Sequence, residues 1–231
     1  MADVAPSPSG RPPKRAAKRK VPRGRRLIAH DRSLGVRWVA GADEAGRGCL
    51  AGPLVAAAVL LDMEAFGPRE ARAFSALNDS KQHTPQAREE LYPIVMRTAV
   101  RVAVVSRSAP GIDTRGLHRT NLSALSDALA RVAVPDCLCL VDGFRVPDMG
   151  HEQRAIVQGD ATSAAIAAAS ILAKVSRDRF MARADMLHPG WSFSDHMGYS
   201  TPDHRAAIHA QGVSPLHRLS FASTAYQQLS F

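Results

Sequence analysis

The sequence predicts an α/β domain, and three observations carry that expectation. Apolar runs of strand length occupy residues 36–42, 54–61 and 137–141; the segments between them place apolar residues at helical spacing; and Gly- or Pro-containing turns separate the two patterns. A chain of 231 residues, 45% apolar and 22% charged, has room for one full-sized domain with a real core and a small appendage. No apolar run approaches the length needed to span a bilayer, so no membrane partner is expected.

Residues 1–27 hold nine Lys or Arg against Asp3 alone, a local charge of +8, and almost no large apolar side chain. Such a segment buries too little to offset its ordering entropy and is expected to be a disordered basic tail. It either attracts phosphate backbones without specificity or serves only as a solubilising tail. The whole chain carries +9, so subtracting the tail's +8 leaves the remainder at +1. Net charge therefore says nothing about a nucleic-acid groove in the folded part.

Residues 36–42 read as the first strand; a Gly-rich turn and residues 54–61 follow as a fully buried partner, which makes a hairpin. Thr84-Pro85 has the form of an N-cap followed by Pro at the first helical position, and Leu91, Ile94 and Val95 continue a helix to about residue 99. Residues 100–106 make a third strand, and residues 117–132 a helix with Leu122, Leu125 and Leu129 on one face. Residues 137–141 form a buried strand that ends in Asp142-Gly143, and residues 155–157 a short one. The longest helix is expected over residues 161–188, its Ala- and Ser-rich first half suited to close packing on the sheet. A polar loop, a helix over residues 202–211 and an irregular end complete the chain. The division expected is a tail at 1–27, a main domain at 28–190 and a small helical C-terminal segment at 191–231.

Three cysteines, Cys49, Cys137 and Cys139, form no C-x-x-C pair, although Cys137 and Cys139 share one face of their strand. The odd count, and a basic N-terminus with no apolar stretch, lead to the expectation of a reduced, cytoplasmic protein. The nine histidines fit no common zinc spacing and no paired cysteines join them, so no structural metal is expected.

Carboxylates at the ends of buried strands are the informative feature, because a charge beside an apolar core is costly unless paired. Asp43 and Glu44 follow the first strand, Asp142 ends the 137–141 run, and Asp160 precedes the small-residue helix. If the strands are neighbours, these four acids converge at one sheet edge, and an all-oxygen ligand set suits Mg²⁺ or Mn²⁺. Each has a plain alternative when taken singly: a solvated loop for Asp43 and Glu44, a turn for Asp142, a helix cap for Asp160. Asp79, Asp136 and Asp178 are set aside, the last because Lys174, Arg177 and Arg179 offer local pairing.

The segment Gly41-Ala42-Asp43-Glu44-Ala45-Gly46-Arg47-Gly48, with Ala51-Gly52-Pro53 after it, resembles the N-terminal signature of the bacterial ribonuclease HII family. Further blocks follow in that family's order: Asp79-Ser80-Lys81, Val141-Asp142-Gly143, Gly159-Asp160, residues 168–179, residues 198–204 and His217-Arg218-Leu219-Ser220-Phe221. The resemblance implies a ribonuclease H-like α/β/α sandwich on a mixed central sheet, with a C-terminal part that clamps substrate. It implies an endonuclease that cuts RNA in RNA–DNA hybrids and at ribonucleotides within duplex DNA, by a two-metal-ion mechanism leaving 5′-phosphate and 3′-hydroxyl ends. It carries the metal-binding catalytic role onto Asp43, Glu44, Asp142 and Asp160, and reading of the 2′-hydroxyl onto Gly46, Arg47 and Gly48. Tyr199 matches the aromatic that stacks on the next sugar; Ser80, Lys81, Lys174 and Arg177 match phosphate-holding positions, and Lys174 and Arg177 share a helix face.

Three positions depart from the family pattern: Cys49 stands where Pro is common, Gln82 where a second Lys is usual, and Ser200 where Gly is usual. Cys49 is read as a packing residue, with oxidation that blocks the loop as the alternative. His204 and His217 are expected to make hydrogen bonds that fix the C-terminal segment. Residues 226–231 loosely resemble peptides that dock on bacterial sliding clamps, with Leu229 and Phe231 as the apolar anchors. A monomer is expected. Two rival readings remain: a catalytically silent hybrid-binding protein, and another metal-dependent nuclease of the same fold, such as one that cuts DNA junctions.

Overall fold

The structure is a computed structural model that describes residues 22–77, 83–147, 149–221 and 226. Its five strands are β1 (Trp38–Ala45), β2 (Leu54–Asp62), β3 (Arg101–Arg107), β4 (Leu138–Asp142) and β5 (Gln153–Ile156). They form one sheet in the order β3-β2-β1-β4-β5. The first three pair antiparallel, whereas β1/β4 and β4/β5 are parallel, so the sheet is mixed.

The alternation of side chains divides the core between two faces. Val39, Ala57, Val59, Leu61, Leu138 and Leu140 point to the face covered by α6 (Ala164–Leu187). Ala40, Ala42, Leu54, Ala56, Ala58, Leu60, Cys139 and Val141 point to the face covered by α5 (Leu117–Val132). β2 is buried along its whole length, as its unbroken apolar run requires. The first half of α6 lies close to β1, as its Ala and Ser content predicts. A Cβ on Gly41 would stand 2.2 Å from the Ala165 carbonyl carbon, so only glycine admits the helix there.

α3 (Pro85–Thr98) begins as its sequence signature predicts, with the Ala87 N–H donating to Thr84 Oγ1. Four shorter helices were not foreseen: α1 (Arg23–Ser33), α2 (Pro68–Ala73), α4 (Ala109–Arg115) and α7 (Phe193–His196); α8 (Pro202–Gln211) was. No helix among the described residues is long and apolar enough to cross a membrane.

α1 corrects the boundary of the tail. It starts inside the segment assigned to disorder and buries Gly24, Leu27, Ile28 and Asp31. The remainder of the tail, residues 1–21, lies outside the described residues. Asp31 is fully buried and accepts hydrogen bonds from Ser163 Oγ (3.1 Å) and the Ala165 N–H (2.9 Å). A carboxylate from a distant helix thus satisfies donors at the N-terminus of α6, where the helix dipole favours negative charge. Ser163 supplies the cap itself by accepting from the Ile166 N–H. The cap role considered for Asp160 therefore falls to Ser163, and α6 starts three residues later than expected.

Replacing Asp31 with Ala leaves two buried donors without an acceptor. The change should lower stability by about 3 kcal/mol in urea unfolding. A loss below roughly 0.5 kcal/mol would show that α1 is not anchored through this carboxylate.

Candidate active site

Asp43 and Glu44 lie within the last three residues of β1 (Trp38–Ala45), not after it, and Asp142 is the final residue of β4. The two strands run parallel with Ala42 opposite Val141, so Asp43 and Asp142 leave the sheet side by side. Both belong to the side-chain set that faces α6. Asp43 is 6% exposed, and burial first, then Glu44, with a smaller contribution from Asp142, holds its carboxyl well above the usual carboxylate range. Asp43 accepts the Glu44 N–H at 2.7 Å and a hydrogen bond from Ser170 of α6. Asp142 Oδ1 accepts the Gly159 N–H at 2.7 Å, which docks the short 3-10 turn Gly159–Ala161 on the end of β4. Asp160, also buried, sits in that turn.

Asp43, Glu44 and Asp142 are therefore brought together at two adjacent strand ends, and the turn that carries Asp160 docks on Asp142 through Gly159. Among the described residues no three His, Cys, Asp or Glu side chains already surround a single metal position. Asp43 and Asp142 are each held by backbone or hydroxyl donors, and Glu44 lies 3.6 Å from Arg47. The donor set nonetheless fits a hard divalent cation: it is all oxygen, and like charges crowded beside an apolar core are relieved by Mg²⁺ or Mn²⁺.

The loop between β1 and β2 is held by two fully buried arginines, Arg177 and Arg218. Arg177 donates from Nε to the Pro53 carbonyl (2.9 Å), from Nη1 to Met197 (2.8 Å) and from Nη2 to Ala51 (2.9 Å). Arg218 donates twice to the Gly52 carbonyl (3.0 and 2.9 Å) and once to that of Arg47 (3.0 Å). Burial, and to a lesser extent the Arg177 charge, pulls Arg218 down to about 10, so it stays protonated at neutral pH.

Gly46 owes its identity to this arrangement. Its φ is +86°, and a Cβ there would lie 1.9 Å from Arg177 Nε. Gly48 differs: it is exposed, and a Cβ would meet nothing within 4 Å.

Tyr199 is 42% exposed beside this loop, and its hydroxyl shares a hydrogen bond with the buried Cys49 thiol. Burial, more than the neighbouring Cys49, raises the tyrosine hydroxyl above its ordinary value. Lys174 Nζ lies 5.6 Å from the ring centroid and Arg177 Cζ 5.9 Å. The backbone before and at Tyr199 is fixed by a chain of buried histidines. The Ser214 N–H donates to His217 Nδ1 (2.8 Å), which leaves the His217 proton on Nε2 to donate to His204 Nε2 (3.1 Å). His204 then carries its own proton on Nδ1 and donates to the Tyr199 carbonyl (2.9 Å). Burial pushes both imidazoles down to about 4, consistent with this neutral chain. His204 and His217 thus fix the C-terminal segment as expected.

Arg177 corrects a prediction. It shares a helix face with Lys174, but its guanidinium is spent on three carbonyls and is fully buried, which places it as a support of the loop and not as a phosphate contact. Lys174 is partly exposed and paired with Asp178 at 2.7 Å; Arg88 approaches the same carboxylate at 3.6 Å. The local pairing expected for Asp178 is therefore present. Ser80 and Lys81 lie outside the described residues, as do residues 227–231 of the clamp-like peptide. The first residue of that peptide, Tyr226, is buried with its hydroxyl on the Leu50 carbonyl (3.1 Å). Phe144 was missed: it is exposed beside Asp142, with Arg47 over its ring at 5.4 Å. A lone aromatic directly after Asp142-Gly143 was the available signal. Ser170 and Arg218 were read within motif blocks without a role, since nothing local discloses their distant partners.

Residues 40–224 match the family model of ribonuclease HII. The chain is 47% identical over 187 residues to ribonuclease HII of Mycobacterium tuberculosis, covering 81% of this chain and 69% of that one. Against ribonuclease HII of Mycolicibacterium gilvum the identity is 48%, covering 81% and 72%. Among solved structures, ribonuclease H2 from Pyrococcus horikoshii superposes with TM-score 0.69 at 26% identity, covering 82% of this chain and 96% of that chain. The RNase HII in a PCNA complex from Archaeoglobus fulgidus gives 0.67 at 26%, covering 83% and 98%. Bst-RNase HIII in complex with Mn²⁺ gives 0.59 at 25%, covering 85% and 70%. These likenesses establish the ribonuclease H-like α/β fold, and on the sequence match over most of its length the chain belongs to the ribonuclease HII family.

Proposed function

We propose that this chain is an endoribonuclease that hydrolyses the RNA strand of RNA–DNA hybrids and cuts at ribonucleotides embedded in duplex DNA. The observation that carries the reading is the emergence of Asp43 and Asp142 side by side from two paired strand ends, in a chain of the ribonuclease HII family. Asp43, Glu44, Asp142 and Asp160 would hold Mg²⁺ or Mn²⁺; a solved family neighbour carries Mn²⁺. Such ions supply activation of water and stabilisation of the leaving oxygen, giving 5′-phosphate and 3′-hydroxyl ends.

The chain's own groups do the positioning. Gly46, Arg47 and Gly48 read the 2′-hydroxyl, which is the group that separates RNA from DNA. Gly48 supports this best, because the fold itself does not require a glycine there and a sugar approaching the backbone would. Tyr199 offers an exposed ring to the following sugar, and Lys174, with Ser80 and Lys81, holds backbone phosphates. The segment 191–231 clamps the substrate, since Phe193 and Met197 pack on Ala51 and Met181 beside the loop. All four acids come from one chain, which suits a monomer, and three free cysteines suit the reducing cytoplasm. Docking of residues 227–231 on a sliding clamp is supported by the PCNA complex of the archaeal relative.

Two measurements test the reading. A labelled DNA duplex with one ribonucleotide should be cut at that position with Mg²⁺ or Mn²⁺ and not with chelator; Asp43→Asn should lose activity by about 100-fold or more while binding persists. Equal cutting of a DNA junction without ribonucleotide, or binding without cleavage by the unaltered chain, would favour the rival readings. The second compares two glycines. Gly48→Ala should leave stability within about 0.5 kcal/mol yet reduce kcat/KM on the ribonucleotide duplex about tenfold or more. Gly46→Ala should cost at least about 2 kcal/mol through the Arg177 clash and the positive φ. Similar stability losses for both would refute the division of roles between them.

A further inference from the structure

A second cluster of metal-ligating side chains lies at the opposite end of β4 from Asp142. Cys137 immediately precedes the strand and Cys139 lies within it, both on the side facing α5, whereas Asp142 faces α6. At about 3.3 Å of rise per residue, Cys137 and Asp142 are some 16 Å apart along the chain, so the two clusters are separate. The two sulfurs are 3.7 Å apart, and His151 Nδ1 is 3.8 Å from Cys137 Sγ. His151 and Cys137 line an open groove of about 360 Å³ with Val36, Asp136, Gly150 and Glu152, so the groove leads to Cys137, behind which Cys139 lies fully buried.

From this geometry we infer that Cys137 and Cys139 form a preorganised clamp for a thiophilic cation such as Zn²⁺, with His151 as a third ligand that swings in from the groove.

The sulfur separation supports this quantitatively. Two metal–sulfur bonds of about 2.3 Å spanning 3.7 Å enclose an angle of about 107°, close to tetrahedral, with no movement of either cysteine. A direct sulfur–sulfur bond of about 2 Å would instead require the strand end to contract. The hydrogen bond from Cys139 and, more weakly, the charge of His151 draw the Cys137 thiol below its ordinary value, while the same bond and burial raise Cys139. Of the two thiols, Cys137 thus gives up its proton the more readily as metal binds. Each S–H bond broken releases its proton to solvent as a metal–sulfur bond replaces it. His151 contacts Cys137 now and must rotate to complete the set, leaving a fourth position for water from the groove. Hard ions bound by the carboxylates would not compete for sulfur.

The test is a Co²⁺ titration of the full chain, under reducing conditions and in excess Mg²⁺, followed by sulfur-to-cobalt charge-transfer absorption, to which carboxylate sites do not contribute. One Co²⁺ per chain should produce the band, and Zn²⁺ should displace it. Cys49→Ser should keep the band, Cys137→Ala and Cys139→Ala should lose it, and His151→Ala should weaken binding about tenfold. Because a buried cysteine variant can fail to fold, alkylation of the unaltered chain provides an independent arm: Zn²⁺ should protect Cys137. No band, a band that survives loss of both Cys137 and Cys139, or alkylation of Cys137 at the same rate with and without Zn²⁺ would overturn the inference.

Discussion

Two guanidinium groups buried in the loop region, those of Arg177 and Arg218, are the constraint on which the rest of the site depends. Each is withdrawn from water, which is expensive, and each is compensated by backbone carbonyls of the β1–β2 loop. Together they engage the carbonyls of Arg47, Ala51, Gly52 and Pro53, and Arg177 adds that of Met197 two residues before Tyr199. The loop, α6 and the C-terminal segment are consequently one mechanical unit. Backbone bonds reinforce it: Leu50 N–H donates to Gly198, Gly52 N–H to Leu216, and Arg218 N–H to Leu50.

The sheet provides the other half of the arrangement. Parallel pairing of β1 with β4 is what sets Asp43 beside Asp142, and the close seating of α6 at Gly41 brings Ser170 to Asp43. Asp31 of α1 holds the start of α6, just after the turn that carries Asp160. Burial of Asp43 beside Glu44 and Asp142 works against folding, as its raised carboxyl indicates, and is tolerated because strand pairing and the seating of α6 hold it there. Placement of chemistry at the expense of local stability is the usual pattern of functional sites.

Much of this was legible in the sequence. Strands ending in acids, the Thr84-Pro85 helix start and the Ala-rich face of α6 each follow from local residue physics, and the structure places them as read. What escaped was nonlocal. Arg177 reads as a surface cation three residues after Lys174, because nothing in α6 discloses the loop carbonyls that cover it. Gly46 and Gly48 look alike as sequence, yet a side chain 131 positions away from the first separates their roles. The start of α1 was absorbed into the tail because Arg23, Arg25 and Arg26 mask Leu27, and nothing local shows that Asp31, later in the same helix, has its partners at 163 and 165. Asp160 resembled a cap, and only the backbone path shows that Ser163 takes that part.

The most direct test of the central claim is amide hydrogen exchange on Arg218→Lys, which keeps a positive charge but loses the planar fork that spans Arg47 and Gly52. If the buried guanidiniums hold the loop, the amides of Leu50, Ala51 and Gly52 should exchange faster by an order of magnitude or more, while those of β1 and β2 keep their protection. Unchanged protection in the loop, or an equal loss throughout the sheet, would contradict the account.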